Sequence, residues 1–103
     1  VDYSASEVQT SDDYILPNSD SEYISDRDLD GLTADECRLA CNELYARHGR
    51  KFSDPDYQAY FNSKSWYNGT IDPDDFDDTA LFNKYELANR DYIIDYEKRM
   101  GYK

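Results

Sequence analysis

Apolar positions recur along this chain in three stretches with helical spacing, separated by polar, acid-rich segments. In the first, Thr33 to Lys51, a 100° step per residue puts Cys37, Ala40, Cys41, Leu44 and His48 on one side, with Tyr45 at the border. Leu39 and Ala46 fall roughly opposite. A helix apolar on two sides is packed on two sides, so this one is expected at the centre of the fold. Thr33 and Glu36 have the spacing of a capping box, in which each side chain takes the other's orphan backbone N–H. Gly49, best able to adopt a left-handed conformation, marks the end. Arg47 and His48 sit in the last turn, where the negative end of the helix dipole favours cations.

The second stretch begins at Ser53-Asp54-Pro55-Asp56, with proline near the first helical position and acids in the first turn. Tyr57, Tyr60 and Phe61 follow at i, i+3, i+4 and are read as a core face. Trp66 and Tyr67 come after this helix and before the Asn68-Gly69 turn, so they are expected to show exposed faces. The third stretch, capped by Asp77 or Asp78 and stopped by Gly101, predicts one long helix. Its stripe is Leu81, Tyr85, Ala88, Tyr92 and Tyr96, flanked by Phe82, Asn89 and Met100; Glu86, Arg90, Asp91, Glu97 and Lys98 mostly face away.

Shorter features fill the gaps. Residues 1–13 are polar and aperiodic and predict a flexible linker, leaving 14–103 as one helical domain. Tyr14-Ile15-Leu16-Pro17 predicts an extended strap against the core, because the residue before proline is biased away from helix. Ser25, three residues before Asp28, predicts a short helical turn at about Arg27 to Asp30, pinned beneath the central helix by Leu29 and Leu32. Asp72 to Asp75 predicts another turn. The expected fold class is all-α: a small bundle of three principal helices at about 33–48, 54–63 and 79–100.

The run LACNELYARHGRKF, followed by SDPDYQAYFNSKSWY, resembles the bacterial YARHG domain, named for Tyr45-Ala46-Arg47-His48-Gly49. The resemblance extends from about Ile15 to Tyr102. It departs at two positions: the family pattern is apolar where Cys37 stands and usually basic at Cys41. The resemblance implies a small helical domain on the outer face of the bacterial cell, often tethered behind a membrane anchor, with cell-wall association as its suggested role.

Charge narrows the possible partners. The formal net charge is −12, with 23 acidic against 11 basic residues. No broad basic face is available to displace counterions from nucleic acid or to adsorb on anionic lipid. No apolar run reaches the roughly 20 residues that cross a bilayer, so any anchor is expected upstream of Val1. Aromatic residues make up 16% of the chain, including eleven tyrosines. They must supply much of the core, and their hydroxyls need partners.

Several side chains bear on chemistry. Asp26, Asp28, Asp30 and Gly31 match the start of a calcium loop, but the closing carboxylate at position 12 is replaced by Cys37. The acids are therefore read as a solvated helix entry, and no metal or cofactor is expected. Cys37 and Cys41 are one turn apart, with Cβ atoms about 5–6 Å from each other, whereas a disulfide needs about 3.8 Å. They are read as two buried thiols, with an internal disulfide outside the cell as the alternative. His48 could be a general base, yet no motif puts a nucleophile beside it; the preferred reading is a helix-end histidine bonded to backbone or a carboxylate.

Arg47, His48, Arg50 and Lys51 form the basic cluster of an acidic chain. Arg47 is expected to pair with Glu43 or with the aspartates between 72 and 78. Arg50 and Lys51, with Trp66 and Tyr67, are expected to share one groove, where sugars stack and anionic groups meet cations. The candidate ligand-binding residues are thus Arg47, His48, Arg50, Lys51, Trp66 and Tyr67. The expected partner is peptidoglycan or another anionic cell-wall polymer, and the chain is expected to be monomeric and non-catalytic. The alternatives are a small hydrolase-like enzyme using His48 with acidic partners, and a purely structural spacer.

Overall fold

A computed structural model describes residues 14–102; the linker expected over 1–13 lies outside the described residues. Among the described residues five α-helices follow in order: Asp26–Leu29 (α1), Ala34–Ala46 (α2), Pro55–Asn62 (α3), Asp78–Leu81 (α4) and Lys84–Arg99 (α5), with a 3₁₀ turn at Pro73–Asp75. Three are long (α2, α3 and α5), and among the described residues there is no strand. The fold is all-α, built on three principal helices.

The helix starts follow side-chain chemistry. At α2 the Thr33 hydroxyl accepts the Glu36 N–H at 3.1 Å, and the Glu36 carboxylate accepts the Thr33 N–H at 2.8 Å. Asn83 and Glu86 make the same reciprocal pair at α5, both bonds at 2.9 Å. Asp54 caps α3 by accepting the Asp56 N–H, with Pro55 in the first turn. Such caps satisfy the orphan donors of the first turn and contribute about 1 kcal/mol each.

Helix α2 is central, as its two apolar sides require. One side places Cys37, Ala40, Cys41 and Leu44 against Leu16, Leu29, Phe82, Ile93 and Tyr96. The other places Ala46 with Phe52 and Phe61, flanked by Leu39 and the aromatics of the 57–67 segment. Tyr45 packs on both clusters. Leu29, Leu44, Ile93 and Phe61 are completely buried, each contributing about 2 kcal/mol through removal of apolar surface from water.

The structure corrects the third helix. It is not continuous from 79 to 100: the backbone is extended at Phe82, and a new helix starts after Asn83. The break turns Phe82 into the core, where it is 6% exposed, and leaves Leu81 at the surface. The predicted stripe also shifts. Ala88 and Met100 are exposed, whereas Glu86, Asn89, Ile93, Tyr96 and Glu97 form the buried face of α5. The two glutamates tolerate burial because each has a charged or N–H partner waiting for it. Glu97 meets the Arg38 guanidinium, and Glu86 meets His48 and the Asn83 N–H.

The strap is tied to α2 by a third buried acid. Glu43 accepts the N–H of Ile15 on one carboxylate oxygen, at 2.8 Å, and that of Leu16 on the other, at 3.0 Å. Leu16 is buried there, and the chain then turns, with Ser19 N–H bonded to Leu16 C=O. Asn89 fastens the rest of the segment. Its amide donates to Ser19 and Glu22 C=O and accepts the Ile24 N–H.

Candidate functional site

The carboxyl end of α2 is where the most polar side chains converge, and each of five consecutive residues serves a different neighbour. Tyr45 donates its hydroxyl to Asp78 of α4 at 3.1 Å, and Asp78 also accepts from Arg90 of α5 at 2.7 Å. Burial, with the nearby Cys41 and Asp78 adding to it, pushes the Tyr45 hydroxyl up, so it remains a donor. Ala46 is 1% exposed, too confined for a larger side chain.

Arg47 turns toward the strap. Its guanidinium pairs with Asp20 at 3.1 Å, reaches the Pro17 C=O at 3.3 Å and lies 4.2 Å from the centre of the Tyr14 ring. The expected partners, Glu43 or the 72–78 aspartates, are not the ones it pairs with. Both oxygens of Glu43 already hold the strap amides, Asp78 pairs with Arg90 and Asp72 with Lys51. His48 places Nε2 at 2.7 Å from Glu86, with the Phe82 ring 5.3 Å away. That fulfils the reading of a helix-end histidine bound to a carboxylate. When neutral, the imidazole carries its proton on Nε2 to make this bond.

Gly49 completes the series. Its φ is +87°, and a Cβ would lie 2.9 Å from the Asn68 carbonyl oxygen. Its own carbonyl accepts the N–H of both Thr70 and Ile71 at 2.9 Å, and the Lys51 N–H returns to Ile71 at 2.8 Å. These bonds form an isolated parallel bridge between Arg50 and Ile71, so the chain leaves α2 and comes back at one neck.

A family model, that of the YARHG domain, matches residues 12–98 and so spans this junction and nearly all the described chain. The chain belongs to the YARHG domain family. It is a family of extracytoplasmic domains. Among curated proteins and solved structures there is no match to the chain. No helix among the described residues is long and apolar enough to cross a membrane.

In this YARHG domain the signature residues are therefore a junction that joins α2 to α4, the strap, α5 and the neck. The other predicted site residues are placed as follows. Arg50 lies over the rings of Tyr45 and Phe52, 5.4 and 5.3 Å from their centres, and among the described residues it has no carboxylate partner. Lys51 is exposed and pairs with Asp72 at 3.4 Å. Tyr67 is half-buried; its hydroxyl donates to the Arg50 C=O at 2.8 Å. Trp66 is also half-buried and stacks on Tyr14, centroids 4.7 Å apart. Both aromatics pack on the Phe52–Phe61 cluster instead of standing out from the turn. Trp66 faces the strap through Tyr14, while Lys51 is engaged at Asp72, so the expected shared groove is not what brings these residues together.

Concavity appears elsewhere. Tyr57 and Tyr60, read as core, do pack on the Phe52–Phe61 cluster but are only half-buried, and they line a groove of about 330 Å³ with Leu39, Asp35, Asp54 and Asp56. Asp35 and Asp56 lie in the first turns of α2 and α3, and Asp54 is the cap of α3. Among the described residues none of the three carboxylates is in an ion pair. Burial pushes the Tyr57 hydroxyl up; the charges of Asp54 and Asp35 act the same way against an opposing Arg38.

The acids read against a calcium loop have other duties. Asp26 receives the Tyr92 hydroxyl and the Arg99 guanidinium, and Asp28 accepts the Ser25 N–H. Among the described residues no group of three or more His, Cys, Asp or Glu side chains is placed to hold a metal ion. Cys37 and Cys41 are buried thiols in the main core.

Proposed function

We propose that this domain is a non-catalytic module of the cell envelope that associates with peptidoglycan or another cell-wall polymer while tethered to the outer face of the membrane. One observation carries the non-catalytic reading. The polar groups of the signature motif are consumed by the fold: the Tyr45 hydroxyl by Asp78, Arg47 by Asp20 and the strap carbonyls, and His48 by Glu86. A general base needs a proton donor within reach. Among the described residues His48 is hydrogen-bonded to no hydroxyl or thiol.

The wall association follows from what is left at the surface. Arg50 offers a cation over the Tyr45 and Phe52 rings, Lys51 stands exposed in a pair with Asp72 for which a wall anion would compete, and a net charge of −12 disfavours nucleic acid and anionic lipid. Binding through so few cations is weak and sensitive to salt. Sedimentation with purified bacterial cell wall at low salt tests this. The wild-type domain pellets with the wall, Arg50→Ala combined with Lys51→Ala pellets less, and His48→Gln pellets like the wild type when folded. A folded wild-type domain that stays in the supernatant overturns the proposal.

A further inference from the structure

The groove between the amino-terminal half of α2 and one face of α3 combines two features that select the same kind of ligand. Its walls are the rings of Tyr57 and Tyr60 and the Leu39 side chain; its rim carries Asp35, Asp54 and Asp56. The rings present negative faces, and a cation over such a face is attracted by its quadrupole. Carboxylates without an ion-pair partner add a field of the same sign. We infer that this groove takes the primary-amine side chain of a wall peptide, its methylenes on Leu39 and the rings and its ammonium at the aspartates.

The local chemistry supports a cationic occupant. The Lys64 ammonium lies 4.7 Å from the Tyr60 ring centre, so this ring already carries a cation that an incoming amine must share or displace. Arg38, whose charge opposes those of Asp54 and Asp35 at Tyr57, is held away on Glu97 by its hydrogen bonds. The chain's own segment 1–13 carries acids and no lysine, arginine or histidine, so charge argues against it as the occupant. A neutral sugar would gain ring stacking and hydroxyl hydrogen bonds to the carboxylates but no charge attraction, so its binding would not weaken with salt; an anionic polymer would be repelled. The source of the amine rests on the cell-wall reading above; the amine preference does not.

The test is a titration of the whole domain, followed by NMR, with a short end-blocked peptide containing one lysine. The same peptide acetylated at the lysine amine is the control. The lysine peptide is expected to shift the resonances of Leu39, Tyr57 and Tyr60, with a Kd on the order of a millimolar for one amine on an exposed aromatic site. Added salt weakens it, and the acetylated peptide leaves these resonances in place. Asp35→Asn combined with Asp56→Asn weakens binding roughly fivefold. Tyr60→Leu keeps an apolar side chain against Phe61 but removes the ring, and weakens binding too, with the fold checked by circular dichroism.

Equal binding of the acetylated peptide overturns the inference, as do shifts centred elsewhere or no shift at several millimolar peptide. The two readings fail separately. If the lysine peptide binds the groove but the domain does not sediment with wall, the wall reading falls and the groove stands. If wall sedimentation is unaffected by the aspartate variants and the peptide does not bind, the groove inference falls alone.

Discussion

Glu43, expected from the sequence only as a partner for Arg47, instead ties the strap to α2. It falls three residues after Ala40 and three before Ala46, between the two apolar sides of α2, which was the available signal. Burial pushes its carboxyl up, opposed by the Ile15 and Leu16 N–H groups and by Arg47. The folded chain therefore holds this proton more tightly than the unfolded chain. Its contribution to stability is complete below the ordinary carboxylate pKa and is lost as pH rises through the folded value. Urea unfolding across pH checks this: relative to Glu43→Gln, the wild type loses stability as pH climbs out of the acid range. Glu43→Ala leaves two strap amides without their acceptor and is expected to cost about 2 kcal/mol. Gly49 makes a second prediction at this scale. A Cβ there meets both a positive φ and the Asn68 carbonyl, whereas at Gly101 it meets open space. Gly49→Ala should cost about 2 kcal/mol or more and Gly101→Ala about 1, measured by the same unfolding curves.

The elements show what a single sequence makes legible. Thr33 with Glu36, Pro55 after Asp54, and the glycines at 49 and 101 each announce a helix end through a local bond, and those ends stand where expected. The break at Phe82 was hidden because no glycine or proline interrupts the segment between Asp77 and Gly101. Yet Asn83 and Glu86 carry the same spacing as Thr33 and Glu36, and that pair decides where α5 begins. The misassigned stripe has the same origin. Continuing one periodicity through the break carried Leu81 inward and Glu86 outward. Glutamate was then treated as a surface residue, although its burial is made tolerable by Arg38 of α2 and by His48 in the turn that follows α2. Asn83→Ala removes the cap and the bond to the Asp20 carbonyl. It is expected to cost about 1–2 kcal/mol, seen as a lower urea midpoint with the helical circular dichroism signal retained.

At the scale of the molecule, two clusters share α2, and the main one holds both thiols. Burial pushes the Cys37 thiol up, with the charges of Glu97 and Glu36 adding to it. Neither cysteine should react quickly with an alkylating reagent until the whole domain opens. Intact mass after labelling with and without denaturant checks this, and rapid native labelling of both sites would contradict it. The candidate site was less legible than the fold, because the basic cluster and the aromatics were judged by exposure in sequence, and the strap and neck then enclosed most of them. The neck itself has a wider consequence. Since Gly49 and Ile71 are bonded neighbours, everything between them is a detour that begins and ends at one point. Such an excursion can change length or surface at its exposed loops without re-threading α2 and α5, provided Phe52 and Phe61 keep their seats against Ala46, so the neck works as a hinge-pin for a separately adjustable lobe.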